Sequence, residues 1–329
     1  MMKNVKLWGT LSTICFLIIS CGVAIGATQE LKIGSNKVGS TWYVQAACIA
    51  DVVRTKYPDI KIDASPIAGG IGNLKLLAQG KMNIALAMNN NAKWAYEGNV
   101  LFDKPAKNLR ALVGGLDQFY IGIAIRRGSG ITSLEELAQK KPKVRLMTVQ
   151  RGTTGEASAA QVLEACGISY DDIKKWGGSV EHTDFEAITN AIKDGRCDIF
   201  IQSLSKGHPT FTELAVTGKI DLIGLSKETL DYMDRYGYSQ SVLPANSFKG
   251  QTKDLVLPGY RTMLVVTDKL DNDVAYKITK AVVENKSALV KGHKAFEDFN
   301  PKDAQNPKNL GGVPLHQGAI KYYKEAGQL

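Results

Sequence analysis

Three short segments place glycine beside hydroxyl, amide or cationic side chains where a helix would begin: residues 37–41, 69–73 and 151–155. The first turn of a helix leaves backbone N–H groups without intrahelical partners and carries a partial positive charge, so such segments favour anionic oxygens. Glycine lets a ligand approach the backbone closely, and a hydroxyl can cap the helix or donate to the ligand. The candidate ligand contacts from these segments are Val38, Gly39, Ser40, Thr41 and Tyr43, then Gly70 and Asn73, then Arg151, Thr153 and Thr154. Arg151 could clamp a carboxylate with two parallel hydrogen bonds. Asn89 and Asn90 follow one apolar run and Gln202 and Ser203 another, as uncharged hydrogen-bonding pairs at strand ends. Tyr260, with Trp42 and Tyr43, could wall the site.

Motifs for other chemistries are missing. There is no Gly-x-Ser-x-Gly elbow, no phosphate loop ending in Gly-Lys-Ser/Thr, and no zinc-protease helix. Gly128-Ser129-Gly130 and Gly152-Thr153-Thr154-Gly155 do not complete a dinucleotide-binding Gly-x-Gly-x-x-Gly. Of four widely spaced histidines, only His182 has acids close in sequence, Glu181 and Asp184. Neither Cys-x-x-Cys nor His-x-x-x-His occurs. The expectation is a binding protein rather than an enzyme, with no cofactor and no metal.

The elements that must position these segments alternate, β-like runs with amphipathic helices, as in a parallel sheet covered by helices. Strands are expected over 31–34, 60–64, 82–88, 144–149 and 197–201, and helices over 41–56, 73–79, 156–166, 185–193, 274–291 and 319–326. The stretch from Gly80 to Leu86 resembles that from Gly195 to Ile201 in kind: glycine, a basic residue, Asn or Asp two residues on, then an apolar run. Such a repeat fits two similar lobes. Residues 120–125 are expected to cross between them and residues 260–267 to return.

Lys3 and Lys6, an apolar run over 11–19 and small residues to Ala27 match a secretory leader cut after Ala27. The competing reading is a lipoprotein box ending in Cys21. Removing residues 1–27 lowers the net charge from +9 to +7, a modest excess that suits an anionic ligand or membrane surface better than nucleic acid, because the basic residues are scattered. A chain near 300 residues exceeds one hydrophobic core, so two lobes are expected. Cys48, Cys166 and Cys197 remain; an odd, widely spaced set is no disulfide framework, though one Cys166–Cys197 bridge stays open.

Several blocks carry a family resemblance. Gly34 and Gly39-Ser40-Thr41-Trp42-Tyr43, Gly69-Gly70-Ile71-Gly72-Asn73 with Leu76-Leu77-Ala78-Gln79-Gly80, and Pro314-Leu315-His316-Gln317-Gly318-Ala319 followed by Tyr322-Tyr323 resemble the TAXI family of substrate receptors for tripartite ATP-independent periplasmic (TRAP) transporters. The resemblance implies a type II periplasmic-binding-protein fold of two α/β lobes joined by a two-stranded hinge. It places the first lobe at 28–125 plus 262–329 and the second at 126–261. It also implies capture of a small organic anion of carboxylate or amino-acid type, and handover to an ion-gradient-driven membrane permease with fused small and large subunits. His316, Tyr322 and Tyr323 are assigned to structure or permease docking. Ser40, Trp42, Gly72 and Thr153-Thr154 depart from the family pattern at or near the ligand loops, which leaves the solute open. An exported sensor module presenting solute to a membrane histidine kinase is the alternative.

Overall fold

A computed structural model describes residues 30–67 and 69–329, so the leader and Cys21 lie outside the described residues. The strands are β1 Leu31–Gly34, β2 Ile62–Ser65, β3 Ile84–Met88, β4 Leu109–Val113, β5 Phe119–Arg126, β6 Arg145–Thr148, β7 Ser179–His182, β8 Ile199–Leu204, β9 Ile220–Leu222, β10 Ser239–Leu243, β11 Leu255–Tyr260 and β12 Thr262–Thr267. The helices are α1 Thr41–Lys56, α2 Gly69–Ala78, α3 Asn89–Glu97, α4 Glu135–Lys140, α5 Thr154–Ala165, α6 Tyr170–Lys175, α7 Phe185–Lys193, α8 Pro209–Val216, α9 Lys227–Met233, α10 Asn272–Glu284, α11 Lys286–Gly292 and α12 Gln317–Glu325.

They form two lobes, each around its own sheet. The first sheet runs β2-β1-β3-β12-β4 and the second β10-β11-β5-β8-β6-β7, with β9 beside β5. The two share a four-strand pattern. In each, a parallel trio (β2-β1-β3, β7-β6-β8) is followed by an antiparallel strand, β12 or β5. The repeated turn explains part of the likeness. Gly80 and Gly195 both adopt left-handed φ, +71° and +72°, before the central strands β3 and β8. Asn83 Oδ1 then accepts from Lys32 N at 3.3 Å, and Asp198 Oδ2 from Arg145 N at 3.0 Å, so each polar residue ties its strand to the start of the neighbouring one. Asp198 also holds the guanidinium groups of Arg126 and Arg145.

Local signals set several boundaries. Ser40 Oγ accepts from Tyr43 N to start α1, Trp42, Ala46, Ile49 and Val53 make its buried face, and the helix ends just before Tyr57-Pro58. Asp184 caps α7 in the same way. Elsewhere the structure departs from expectation. Helix α2 begins at Gly69 rather than 73, so the glycine pair is its first turn. The single helix expected over 274–291 divides at Asn285, whose side chain donates to Ala281 O. Residues 89–91, expected as a strand-end loop, open α3. Strand β5 lies wholly in the second sheet, so the lobes divide at 114–118 and at Arg261 rather than at 125/126. The crossing is short because β5 must enter the second sheet at Phe119 to pair with β11 and β8.

The C-terminal helices α10, α11 and α12 return to cover the first lobe against α1 and β4. His316 Nδ1 accepts from Gly318 N to cap α12, and Tyr323 donates from its hydroxyl to Leu112 O in β4. Both are buried, as is Tyr322, which gives this C-terminal block a structural role. Cys48, Cys166 and Cys197 are free thiols. Cys166 sits beside the Thr229 hydroxyl and Cys197 donates to Ile199 O. No helix among the described residues is long and apolar enough to cross a membrane.

Candidate functional site

Loops at the carboxyl ends of β1, β2 and β3 face those at the ends of β6 and β8 across a cleft of about 760 Å³. This is where an open α/β sheet collects ligands. From the first lobe come Ser40, Thr41 and Trp42 at the start of α1, Gly69, Gly70 and Ile71 at the start of α2, Met88 at the end of β3 and Asn91 in the first turn of α3. The second lobe supplies Gly152, Thr153 and Thr154 at the start of α5, and Ser205 and Lys206 after β8. Asp117, Gln118 and Phe119 form the floor at the crossing, and 293–298 hang over the cleft from the first lobe. Three helix N-termini, those of α1, α2 and α5, therefore open on one space.

The expected contacts divide into groups. Ser40, Thr41, Gly70, Thr153 and Thr154 line the cleft. Ser40 and Thr153 are helix caps, and Thr154 Oγ1 accepts a 2.9 Å hydrogen bond from Asn91 Nδ2 across the cleft. Val38 is exposed, and neither it nor Gly39 and Tyr43 is part of the lining. Arg151 is exposed beside Gly152, whose left-handed φ of +78° turns the chain between it and the inward-facing threonines. The cations that line the cleft are instead Lys206 and Lys294.

Asn73, Asn89 and Asn90 are buried away from the cleft. Asn73 donates to Ser35 O and Leu86 O, tying the end of β1 to β3. Asn89 donates to Lys308 O at 2.7 Å and accepts from Arg261 N at 2.9 Å, which anchors the return crossing. Gln202 lies under Gly155 and accepts from Ser203 N. Tyr260 is buried behind Phe119, its ring 5.7 Å away and nearly parallel at 8°, and burial pushes its phenol pKa up. These amides and the phenol build the walls from behind.

Sequence reasoning passed over the floor. Asp117 Oδ1 accepts from Thr262 N at 2.8 Å; its Oδ2 accepts from Thr262 Oγ1 at 2.8 Å and Gln45 Nε2 at 3.1 Å. Thr262 Oγ1 in turn accepts from Trp42 Nε1 at 3.1 Å. One carboxylate thus binds the outgoing crossing to the returning one and orients the indole on the cleft wall. Burial raises its pKa, and the bonds from Gln45 and Thr262 only partly oppose the shift. No local pattern marks Asp117, because its partners lie 72 and 145 residues away.

Lys206 Nζ and Asp298 Oδ1 meet at 3.4 Å across the mouth and, with Asn91 and Thr154, hold the lobes together. Asn91 Oδ1 is buried with no partner among the described residues. Among the described residues, none of the cleft's hydroxyls is hydrogen-bonded to a histidine or carboxylate. His182 pairs with Glu156 at 3.5 Å, not with Glu181 or Asp184, and this pair does not line the cleft.

Residues 33–327 match the model of the NMT1-like family. Among solved structures, a TctC solute binding protein from Polaromonas superposes with a TM-score of 0.54 at 16% identity, over 91% of this chain and 98% of that one. PhnD1 from Prochlorococcus marinus, in complex with methylphosphonate, gives 0.53 at 10% identity over 92% and 100%. XAC2383 from Xanthomonas citri, bound to ATP, gives 0.52 at 12% identity over 89% and 98%. At such identities the likeness is one of fold, the two-lobed fold of the periplasmic binding proteins.

Proposed function

Because the chain belongs to the NMT1-like family, and because three of its helices open on one interlobe cleft, we propose that it is an exported, periplasmic solute receptor of the TAXI type. It captures a small organic anion of carboxylate or amino-acid type by lobe closure. It then delivers the solute to an ion-gradient-driven TRAP permease with fused small and large subunits. The convergence of the starts of α1, α2 and α5 carries this reading, since each presents amides and a partial positive charge to the same volume.

Magnitudes favour closure over static binding. Three helix termini together contribute about 1–6 kcal/mol to an anion, whereas micromolar affinity requires about 8 kcal/mol. Enclosure between the lobes lowers the local dielectric and strengthens the same contacts. Of the two lysines on the cleft Lys206 is paired with Asp298, and Asp117 and Glu297 also line it, so the helix termini rather than net side-chain charge carry the attraction.

A thermal-shift screen of organic acids and amino acids, followed by calorimetry, tests the proposal: at least one carboxylate is expected to raise the melting temperature, and a panel in which none does rejects it. For that ligand, Thr41→Val should weaken binding about tenfold, the loss of one hydrogen bond to a charged group. Thr41 is exposed and outside the core, so the ligand-free melting temperature should not move. An unchanged dissociation constant would remove the α1 terminus from the site.

A further inference from the structure

The polar groups of the cleft occupy only part of its wall. Trp42, Ile71 and Met88 from the first lobe and Phe119 from the crossing make the remainder apolar. Trp42 is held in place. Its Nε1 donates to Thr262 Oγ1, and Gly70 leaves room for it, since a Cβ at position 70 would stand 3.2 Å from Cη2 of the indole. Phe119 is backed by the parallel ring of Tyr260 and stays only partly buried on the cleft. Met88 adds a polarizable thioether at the same floor. At about 760 Å³ the cleft falls in the upper half of the roughly 300–1,000 Å³ range of pockets that enclose drug-sized ligands.

A four- or five-carbon diacid offers nothing to cover the partly buried ring of Phe119, which closure on it would leave against water, while the indole of Trp42 is already buried and gives the cleft a rigid flank. We infer that the solute is an amphipathic carboxylate with a flat apolar body: its anionic end lies at the starts of α1, α2 and α5, and its ring packs between Trp42 and Phe119. This rests on the anion-receptor reading and narrows it to a solute class. Rigid aromatic walls give such a ring a contact that an aliphatic diacid does not make, and aromatic pairing adds about tenfold in affinity beyond area burial.

The test titrates the full chain with 3-phenylpropionate, succinate, L-glutamate and the uncharged 3-phenylpropanamide, read by calorimetry and tryptophan fluorescence. The expected result is binding of phenylpropionate at least about tenfold tighter than of succinate or glutamate, with a change in tryptophan emission and little binding of the amide. Equal or tighter binding of succinate or glutamate overturns the inference and leaves the anion receptor standing. Equal binding of amide and acid overturns the anion reading instead, and binding of none rejects both. Phe119→Leu should reduce the preference for phenylpropionate over succinate about tenfold. Trp42→Phe provides the same measurement from the first lobe if the first variant fails to fold, and a preference unchanged in both removes the aromatic clamp.

Discussion

Replacing Asp117 by alanine should lower the unfolding free energy by about 3–5 kcal/mol, while asparagine should cost about 1 kcal/mol or less. The carboxylate is buried and accepts from Thr262 N, Thr262 Oγ1 and Gln45 Nε2. Alanine strands all three donors without water, and the indole of Trp42 loses the support of Thr262. Asparagine keeps the acceptor for Thr262 N. Its new NH₂ can be met by Gln45 Oε1, which has no partner among the described residues, once that amide turns over. Urea unfolding of the three proteins decides; an alanine variant as stable as wild type would show that the crossing does not depend on this network.

The same group sets a pH dependence. Its folded pKa is raised above the ordinary value of 3.8 because burial disfavours the charged form. Its contribution to stability is therefore fully present below pH 3.8 and declines as pH rises through the folded pKa. Asp117→Asn removes the titration. The stability of the asparagine variant relative to wild type should accordingly increase as pH rises through that window, and two parallel pH profiles would contradict the assignment.

Gly318→Ala should destabilise the chain by about 3 kcal/mol, lowering the melting temperature by about 5 °C. A Cβ there would stand 2.7 Å from Tyr276 N and closer still to Asn272 O, both backbone atoms of α10. Helix α12 would have to move away, taking with it the His316 cap and the Tyr323 bond to Leu112 O. Gly312 provides the control. It has a left-handed φ of +72° but open space around its Cβ position, so Gly312→Ala should cost only about 1 kcal/mol from backbone strain. If both alanines cost the same, close helix packing is not what position 318 requires.

Part of the cleft's lining was legible from short stretches of chain. Ser40, Thr41, Gly70, Thr153 and Thr154 could be placed because a helix start is a local event: the cap, the glycine and the apolar period lie within a few residues of each other. The bounds of α1 and α7 were readable for the same reason. The buried amides were not. Asn73, Asn89 and Gln202 have the same side chains as a ligand contact, but each meets backbone or packing partners inside the lobe, and type alone does not show which way an amide turns.

The residues at the floor and mouth of the cleft come from remote parts of the chain. Asp117 gains meaning only when Gln45 and Thr262 arrive beside it, Phe119 when Tyr260 stacks behind it, and Lys206 when Asp298 reaches over from the C-terminal segment. Alternating apolar runs and glycine-led helix starts by themselves determined two α/β lobes and the amide-rich half of the cleft, because both follow from backbone geometry over a few residues. Which carboxylate joins the crossings, which cations line the opening and which rings make its apolar wall were decided by tertiary structure, because burial and charge pairing depend on neighbours that the chain brings together only when it folds.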